Sequence, residues 1–171
     1  MSLVRMQIQT VVVGGLQTPS FVVLRKYDEE GAQVHLPIRI GPVEAAAITA
    51  GIDDHKRKRP LTHDLLASVI DSLGGRAISV SIIDVSGTTF FASLQLARPD
   101  GSRTEVDCRP SDGIALAIRE GIPIYVREQV LETATMPDFQ KVKKDTEEQE
   151  LLAFHNFVEG LTPEDFSQNP L

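Results

Sequence analysis

Short runs of β-branched and aromatic residues, each closed by Gly, Pro or Ser, recur along the first 126 residues. This punctuated pattern constrains the fold more than any other feature of the sequence. It predicts strands at residues 7–13, 21–26, 34–40, 77–85, 89–97, 103–109 and 123–126. Helical spacing predicts helices at residues 42–50, 62–73 and 110–120. Because hairpins are mixed with helices, without regular βαβ alternation, we expect an α+β domain with a mixed, largely antiparallel sheet.

Two segments of this domain share one residue pattern. Pro42 to Ile48 and Pro110 to Leu116 both read Pro-x-acid-small-x-Ala-aliphatic, and each follows a predicted strand that carries an arginine, Arg39 or Arg109. The simplest account is an internally duplicated strand–strand–helix unit.

Charge is distributed unevenly along the chain. Residues 1–126 contain 13 Lys or Arg and 14 Asp or Glu, whereas residues 127–171 contain 4 and 10. The overall charge of -7, which by itself argues against a nucleic-acid partner, therefore belongs mostly to the final segment. We expect one domain at residues 1–135 and an acidic, amphipathic helical tail at residues 136–171.

The sequence also argues against several classes of protein. No apolar run approaches ~20 residues, so we expect no membrane partner, and the absence of a signal-peptide pattern favours a cytoplasmic protein. A single cysteine, Cys108, excludes an internal disulfide and a multi-Cys zinc site. The sequence has no Walker loop, no GxGxxG after a strand and no GxSxG, which argues against nucleotide-cofactor enzymes and serine hydrolases.

The densest group of polar residues surrounds the start of the third predicted helix, and comprises Glu105, Asp107, Arg109, Ser111 and Asp112. Ser111 is expected to cap this helix and Asp112 to lie in its first turn, which alone would explain both residues. An arginine beside a helix N-terminus can also bind phosphate, and carboxylates can hold a divalent cation. Residue spacing leaves both interpretations open.

A second polar group marks the start of the helix at residues 62–73. Thr62 is expected to cap this helix, with His63 and Asp64 in its first turn. A neutral imidazole can act as a general base, but adjacent residues on a helix do not face each other, so His63 and Asp64 are poor partners. The basic run Lys56 to Arg59 is either a solvated loop or the edge of a phosphate-binding groove. The apolar residues that follow fit a 3.6-residue period and are expected to face the core: Leu65, Leu66, Val69, Ile70 and Leu73.

Four blocks of the chain resemble, in order and spacing, the signature blocks of the bifunctional nuclease family: LPIRIGPVEA at 36–45, RPLTHDLL at 59–66, DCRPSDGIALA at 107–117 and PIYV at 123–126. The ending LTPEDF at 161–166 is similar to the acidic tail of bacterial members. The sequence departs from the usual pattern at Arg39 and Cys108. The resemblance implies a compact, self-associating α+β domain with DNase and RNase activity.

Under this resemblance, the first hypothesis is a nuclease that hydrolyses phosphodiester bonds in DNA, RNA or both. Its catalytic residues would be Glu44, His63, Asp64 and Asp112, and its substrate-binding residues Lys58, Arg59, Thr62, Arg109 and Ser111. A divalent cation such as Mg²⁺ is the candidate cofactor, held by Glu44, Asp107 and Asp112. The alternative hypothesis is a non-catalytic, oligomeric binding or regulatory module whose acidic tail recruits a partner.

Overall fold

The computed structural model of the chain describes residues 2–15, 18–27, 34–53 and 59–134. The strands are β1 (Leu3–Val12), β2 (Ser20–Lys26), β3 (His35–Ile40), β4 (Arg76–Ser86), β5 (Thr89–Ala97), β6 (Arg103–Cys108) and β7 (Ile124–Arg127). The helices are α1 (Pro42–Ile52), α2 (Thr62–Ser72), α3 (Pro110–Glu120) and α4 (Glu128–Thr133). None of these helices has the length and apolar character that a membrane span requires. Every strand and helix predicted within residues 1–126 is present, and the short α4 is an additional element. The predicted helical tail at residues 136–171 lies outside the described residues.

All seven strands form one sheet in the order β3-β2-β1-β7-β4-β5-β6. Only β4 and β7 pair in parallel, and every other pair is antiparallel. The predicted α+β class with a mixed, largely antiparallel sheet is therefore confirmed. Each half of the sheet is a three-stranded antiparallel meander followed by a helix, β1-β2-β3-α1 and β4-β5-β6-α3. This arrangement is compatible with an internal duplication, which stays a prediction.

The core lies between one face of the sheet and the helices. Its fully buried side chains come from both halves of the sheet and from α1 and α3, and include Leu24, Leu36, Ile48, Ile82, Ile114 and Leu116. α3 is the most deeply buried helix, and it approaches β4 closely at Gly113. A Cβ at Gly113 would lie 2.7 Å from Val80 Cγ1, so a larger residue there would push the helix off the sheet.

α1 and α3 lie side by side and point in the same direction. At their N-terminal ends, Arg109 of α3 donates a hydrogen bond to Glu44 of α1. At their C-terminal ends, Arg119 of α3 packs against Gly51 of α1. Two helix N-termini, each with a positive dipole end, therefore meet at one end of the helix layer.

The prediction that the apolar stripe of α2 faces the core is correct for Ile70 and wrong for the other four residues. Leu65, Leu66, Val69 and Leu73 are between 39% and 75% exposed, and no residue of α2 is buried. α2 packs against α3, and only Ala67 and Ile70 reach the edge of the core. Helical periodicity identifies a face that is suited to burial, but it does not identify the surface that buries it.

The predicted helix caps are also wrong. The N-cap residues are Leu61 for α2 and Arg109 for α3, so Thr62 and Ser111 lie one and two residues inside their helices. In α2 the capping group is the Asp64 carboxylate, which accepts a hydrogen bond from the Leu61 N–H at 2.7 Å. An acid at the third helical position can reach back to the N-cap N–H, and here it does so without a capping hydroxyl.

Candidate active site

Four charged or titratable side chains meet where α1, α2 and α3 begin: Glu44, His63, Arg109 and Asp112. We call them the helix-start cluster. Glu44 comes from the first turn of α1, His63 from that of α2 and Asp112 from that of α3, while Arg109 is the N-cap of α3. All four were singled out from the sequence, and the fold brings them into hydrogen-bond contact although up to 68 residues separate them.

Arg109 occupies the centre of the helix-start cluster. Its Nε donates to Asp112 Oδ2 at 2.7 Å, its Nη2 donates to Asp112 Oδ1 at 3.2 Å, and its Nη1 donates to Glu44 Oε1 at 2.8 Å. The hydrogen bond to Asp112 and then that to Glu44 raise the pKa of Arg109, which therefore stays protonated. A guanidinium has five N–H donors, so one N–H on each terminal nitrogen has no partner among the described residues. The side chain is 65% exposed, which leaves these two donors available to a ligand.

His63 and Asp112 form the second contact of the helix-start cluster. His63 Nε2 lies 3.2 Å from Asp112 Oδ1, and the imidazole is 13% exposed. Burial alone would raise the pKa of Asp112, but hydrogen bonds from Arg109 and His63 outweigh it, so the pKa lies below its ordinary value. An ionised carboxylate only accepts hydrogen bonds, so a neutral His63 carries its proton on Nε2. Its Nδ1 is then a free base, as a catalytic imidazole requires.

Glu44 is held against the backbone at the start of α1. Its carboxylate lies over Gly41, the N-cap of that helix, where a Cβ would collide with Glu44 Oε2. Gly41 therefore makes the space that lets Glu44 reach Arg109. No sequence pattern marked this role of Gly41.

The helix-start cluster carries a net charge of -1 when His63 is neutral and of zero when His63 is protonated. The two carboxylates face the positive ends of α1 and α3, which partly offset their charge. The arrangement combines a base, a cation with two available donors and carboxylates that orient both. These are the groups needed to activate a nucleophile and to stabilise negative charge on a phosphoryl centre.

Asp64 is placed apart from this cluster. Its carboxylate accepts a hydrogen bond from Arg119 Nε, whereas the adjacent His63 contacts Asp112, as the helix geometry led us to expect. Arg119 is 8% exposed and also donates to the backbone oxygens of Ala115 at 2.7 Å and Ala47 at 3.1 Å. Arg119 thus ties α1, α2 and α3 together, a role that the sequence analysis missed. A lone arginine in the last turn of a helix carries no signal of such a contact.

The proposed carboxylate set for a divalent cation is not brought together. Asp107 lies on the face of β6 that points away from α3, opposite Ser93, because successive residues of a strand alternate between faces. Arg109 lies between Glu44 and Asp112. Within the ranges that the structure describes, no three His, Cys, Asp or Glu side chains converge as a metal ion would need. We therefore derive no catalytic step through a cation.

The remaining predicted substrate-binding residues differ in accessibility. Thr62 and Arg59 are exposed near the start of α2, so both are accessible from solvent. Ser111 is 6% exposed and faces the interior, so it is poorly placed to bind a substrate. Lys58 lies outside the described residues.

Cys108, one of the two departures from the family pattern, is a half-buried thiol next to this site. Burial, followed by the charges of Asp107 and Asp112, raises the pKa of Cys108 to about 11. A thiol with this pKa is protonated at neutral pH and is a poor nucleophile. Cys108 packs against the core and is not a candidate for covalent catalysis.

Known proteins resemble this chain over the segment that holds the helix-start cluster. The model of the bifunctional nuclease domain matches residues 22–138. An uncharacterised protein of Mycobacterium tuberculosis (strain ATCC 25618 / H37Rv) is 39% identical over 142 residues, which cover 81% of this chain and 84% of the relative. Bifunctional nuclease 2 of Arabidopsis thaliana is 26% identical over 131 residues, which cover 74% of this chain and 40% of the relative. Bifunctional nuclease 2 of Oryza sativa subsp. japonica is 30% identical over 105 residues, which cover 60% and 32%.

Proposed function

Because the chain belongs to the bifunctional nuclease domain family, we propose that it hydrolyses phosphodiester bonds in DNA, RNA or both, with the helix-start cluster as its active site. One observation carries this proposal. A candidate general base, His63, and a candidate phosphate-binding cation, Arg109, are hydrogen-bonded to the same carboxylate inside the matched segment. The plant relatives named bifunctional nucleases support the reaction class, and they match 58–74% of this chain.

His63 and Arg109 have distinct roles in the proposed reaction. His63 Nδ1 takes a proton from a water molecule as the water oxygen bonds to phosphorus. The two available N–H groups of Arg109 bind the non-bridging oxygens and stabilise the charge that accumulates there. The bond from phosphorus to the leaving sugar oxygen then breaks, and that oxygen takes a proton from the imidazolium or from water. General base catalysis of this kind contributes about 10²–10⁴-fold to the rate.

The two carboxylates act as positioning residues in this proposal. Asp112 accepts from both His63 and Arg109, so it fixes the tautomer of one and the orientation of the other. Glu44 holds Arg109 from the opposite side. Loss of Asp112 therefore disturbs both reacting groups, and loss of Glu44 disturbs only Arg109.

The test is a cleavage assay with fluorescent single-stranded RNA and DNA. We expect His63→Ala and Asp112→Asn to lower cleavage at least 10²-fold, the lower limit of a general base contribution, while both proteins stay folded. The matched controls are His35→Ala, on the edge strand β3, and Asp71→Asn, on the exposed side of α2, which should cleave like the parent. Cleavage that survives both cluster substitutions, or that varies between preparations of one protein, would contradict the proposal.

A second candidate function, an oligomeric binding module, is favoured by the exposed apolar face of α2. This face is formed by Leu61, Leu65, Leu66, Val69 and Leu73, each 39–75% exposed. Contiguous exposed apolar patches are typical of protein–protein interaction sites. We propose that two copies of the chain pair through this face, which lies next to His63. Leu65→Lys with Leu73→Lys should then lower the mass measured by light scattering, and an unchanged mass would contradict pairing through α2.

The acidic segment is proposed to act through its charge. Residues 136–171 lie outside the described part of the chain, and residues 127–171 carry a balance of -6 in the sequence. We propose that this segment screens the domain from nucleic acid. A chain ending at residue 135 should bind an oligonucleotide more tightly at low salt, and equal affinity would contradict this role.

A further inference from the structure

A polar cavity of about 460 Å³ lies on the face of the sheet opposite the helices. We call it the serine trough because the hydroxyls of Ser79, Ser81 and Ser93 line its floor on β4 and β5. The larger side chains of Tyr125 and Arg127 on β7 line one side, and Arg103 and Glu105 on β6 line the other. The small serines in the middle of the sheet thus leave a depression between two walls.

Several groups in the serine trough are prepared for a ligand. Ser79 is 8% exposed and lines the cavity, and its hydroxyl has no hydrogen-bond partner among the described residues. Arg127 donates from Nη1 to the Ile83 oxygen at 3.2 Å, which fixes the direction of its guanidinium. Arg103 is exposed and has no ion pair within the described ranges. None of the fully buried side-chain polar atoms in the described residues lacks a partner, so the Ser79 hydroxyl is accessible from the cavity.

We propose that the serine trough binds a single strand of nucleic acid, with phosphates on Arg127 and Arg103 and a base against Tyr125. The choice of ligand rests on the nuclease function proposed above. Two guanidiniums against one carboxylate give the lining a positive balance, which suits a polyanion. An aromatic ring is the group on which unpaired bases stack. Serine hydroxyls and the Gln95 amide supply hydrogen bonds to sugar and base edges.

The distance between the two arginines fits a short oligonucleotide. Arg127 follows Val126, which pairs with Ile82 in the second half of β4, whereas Arg103 lies level with Arg76 at the start of β4. Three strand spacings and about six residues of rise place their Cα atoms roughly 25 Å apart along a diagonal of the sheet. A strand of a few nucleotides spans this distance, at the lower end of the roughly 4–16 nucleotides that one OB-fold sheet holds.

Glu105 is compatible with this ligand. Ser93 donates to Glu105 Oε2 at a long 3.4 Å, so the carboxylate is free to accept from an exocyclic amine of a base. The serine trough and the helix-start cluster lie on opposite faces of the sheet, so the trough holds a part of the strand distant from the reacting bond. Binding and cleavage are therefore separable by substitution.

The test measures binding of a fluorescein-labelled, ten-nucleotide phosphorothioate oligothymidylate, which resists cleavage, by anisotropy. Tyr125→Ala should weaken binding about 5-fold or more, whereas Tyr125→Phe should retain it because the ring remains. Arg103→Ala should make the decrease of log K with log salt concentration less steep by about 0.7, the value for one phosphate contact. Arg39→Ala, on the same sheet face but at the edge strand β3, is the charge-matched control and should bind like the parent.

The outcomes also separate this inference from the proposed nuclease function. Loss of binding in Tyr125→Ala and Arg103→Ala supports the serine trough even if the protein cleaves nothing. Unchanged binding in both variants overturns it, even if the substitutions in the helix-start cluster abolish cleavage. A fall in the mass of Tyr125→Ala, with unchanged affinity for the oligonucleotide, would identify the trough as an interface between copies and would also overturn the inference.

Discussion

Asp64→Asn separates a structural from a catalytic role for Asp64, one of the residues expected from the sequence to take part in catalysis. The Asp64 carboxylate is the ionic partner of Arg119, whose side chain is 8% exposed. Arg119 also donates to carbonyl oxygens of α1 and α3. Leu61 and Arg119 donate to different oxygens of the Asp64 carboxylate, so the single amide oxygen of asparagine can accept from only one of them. The substitution also removes the charge that compensates the guanidinium. We therefore expect a loss of stability and no loss of catalysis.

The magnitude follows from the burial of the two partners. Breaking a fully buried ion pair costs about 3–5 kcal/mol, and a hydrogen bond to a charged group contributes about 1.5–3. The Asp64 side chain is 29% exposed, so water can partly replace the lost charge. We expect the free energy of unfolding to fall by about 2 kcal/mol. For a chain of this length, that corresponds to a decrease in Tm of roughly 4–8 °C.

The assay combines thermal unfolding by circular dichroism with cleavage measured well below the Tm of the variant. Asp71→Asn makes the same chemical change on the same helix without a buried cation, and its Tm should stay within about 2 °C of the parent. Cleavage per folded molecule should be unchanged in Asp64→Asn. A protein that keeps its Tm and loses cleavage would refute the reasoning and would assign Asp64 to the reaction.

Three further predictions concern α3 and Cys108, the last residue of β6. The pKa of Asp112 lies below its unfolded value, so its contacts stabilise the fold above about pH 4 and are lost as the pH falls through the folded pKa. The urea concentration at the unfolding midpoint should therefore fall with acid more steeply in the parent than in Asp112→Asn. Gly113→Ala should lower the free energy of unfolding by about 1–2 kcal/mol, because overpacking against Val80 outweighs the gain in helix propensity, and a stabilised variant would contradict this. Cys108, with its pKa of about 11, should react with a disulfide reagent at pH 8 only when urea unfolds the protein. Rapid reaction of the native protein would contradict the burial of this thiol.

Local sequence patterns predicted most of the secondary structure. Strand alternation and the positions of Gly and Pro located all seven strands, and β5 has the predicted bounds, Thr89–Ala97. The pairing of β4 with β7 was not predictable, because a parallel contact between distant strands leaves no local pattern. The same limit applies to α2: the periodicity correctly predicted a helix, but it did not show which surface the apolar face contacts.

The candidate site was predictable in its members and less so in its contacts. Glu44, His63, Arg109 and Asp112 stood out because polar residues cluster at predicted helix starts. Their convergence depends on α1 and α3 lying parallel, which a single sequence does not specify. Asp107 was misassigned because sequence proximity to Asp112 does not keep two side chains together when a strand ends between them. Arg119 was missed because its partners come from three helices.

The central claim is that His63 and Arg109, joined by Asp112, cut phosphodiester bonds. The most direct measurement compares cleavage per folded molecule in Asp112→Asn and Asp64→Asn, purified in parallel with the parent. We predict that Asp112→Asn loses cleavage at least 10²-fold, whereas Asp64→Asn loses stability and keeps its cleavage rate. Equal cleavage by the parent and Asp112→Asn would contradict the claim and leave the helix-start cluster as a structural contact between helices.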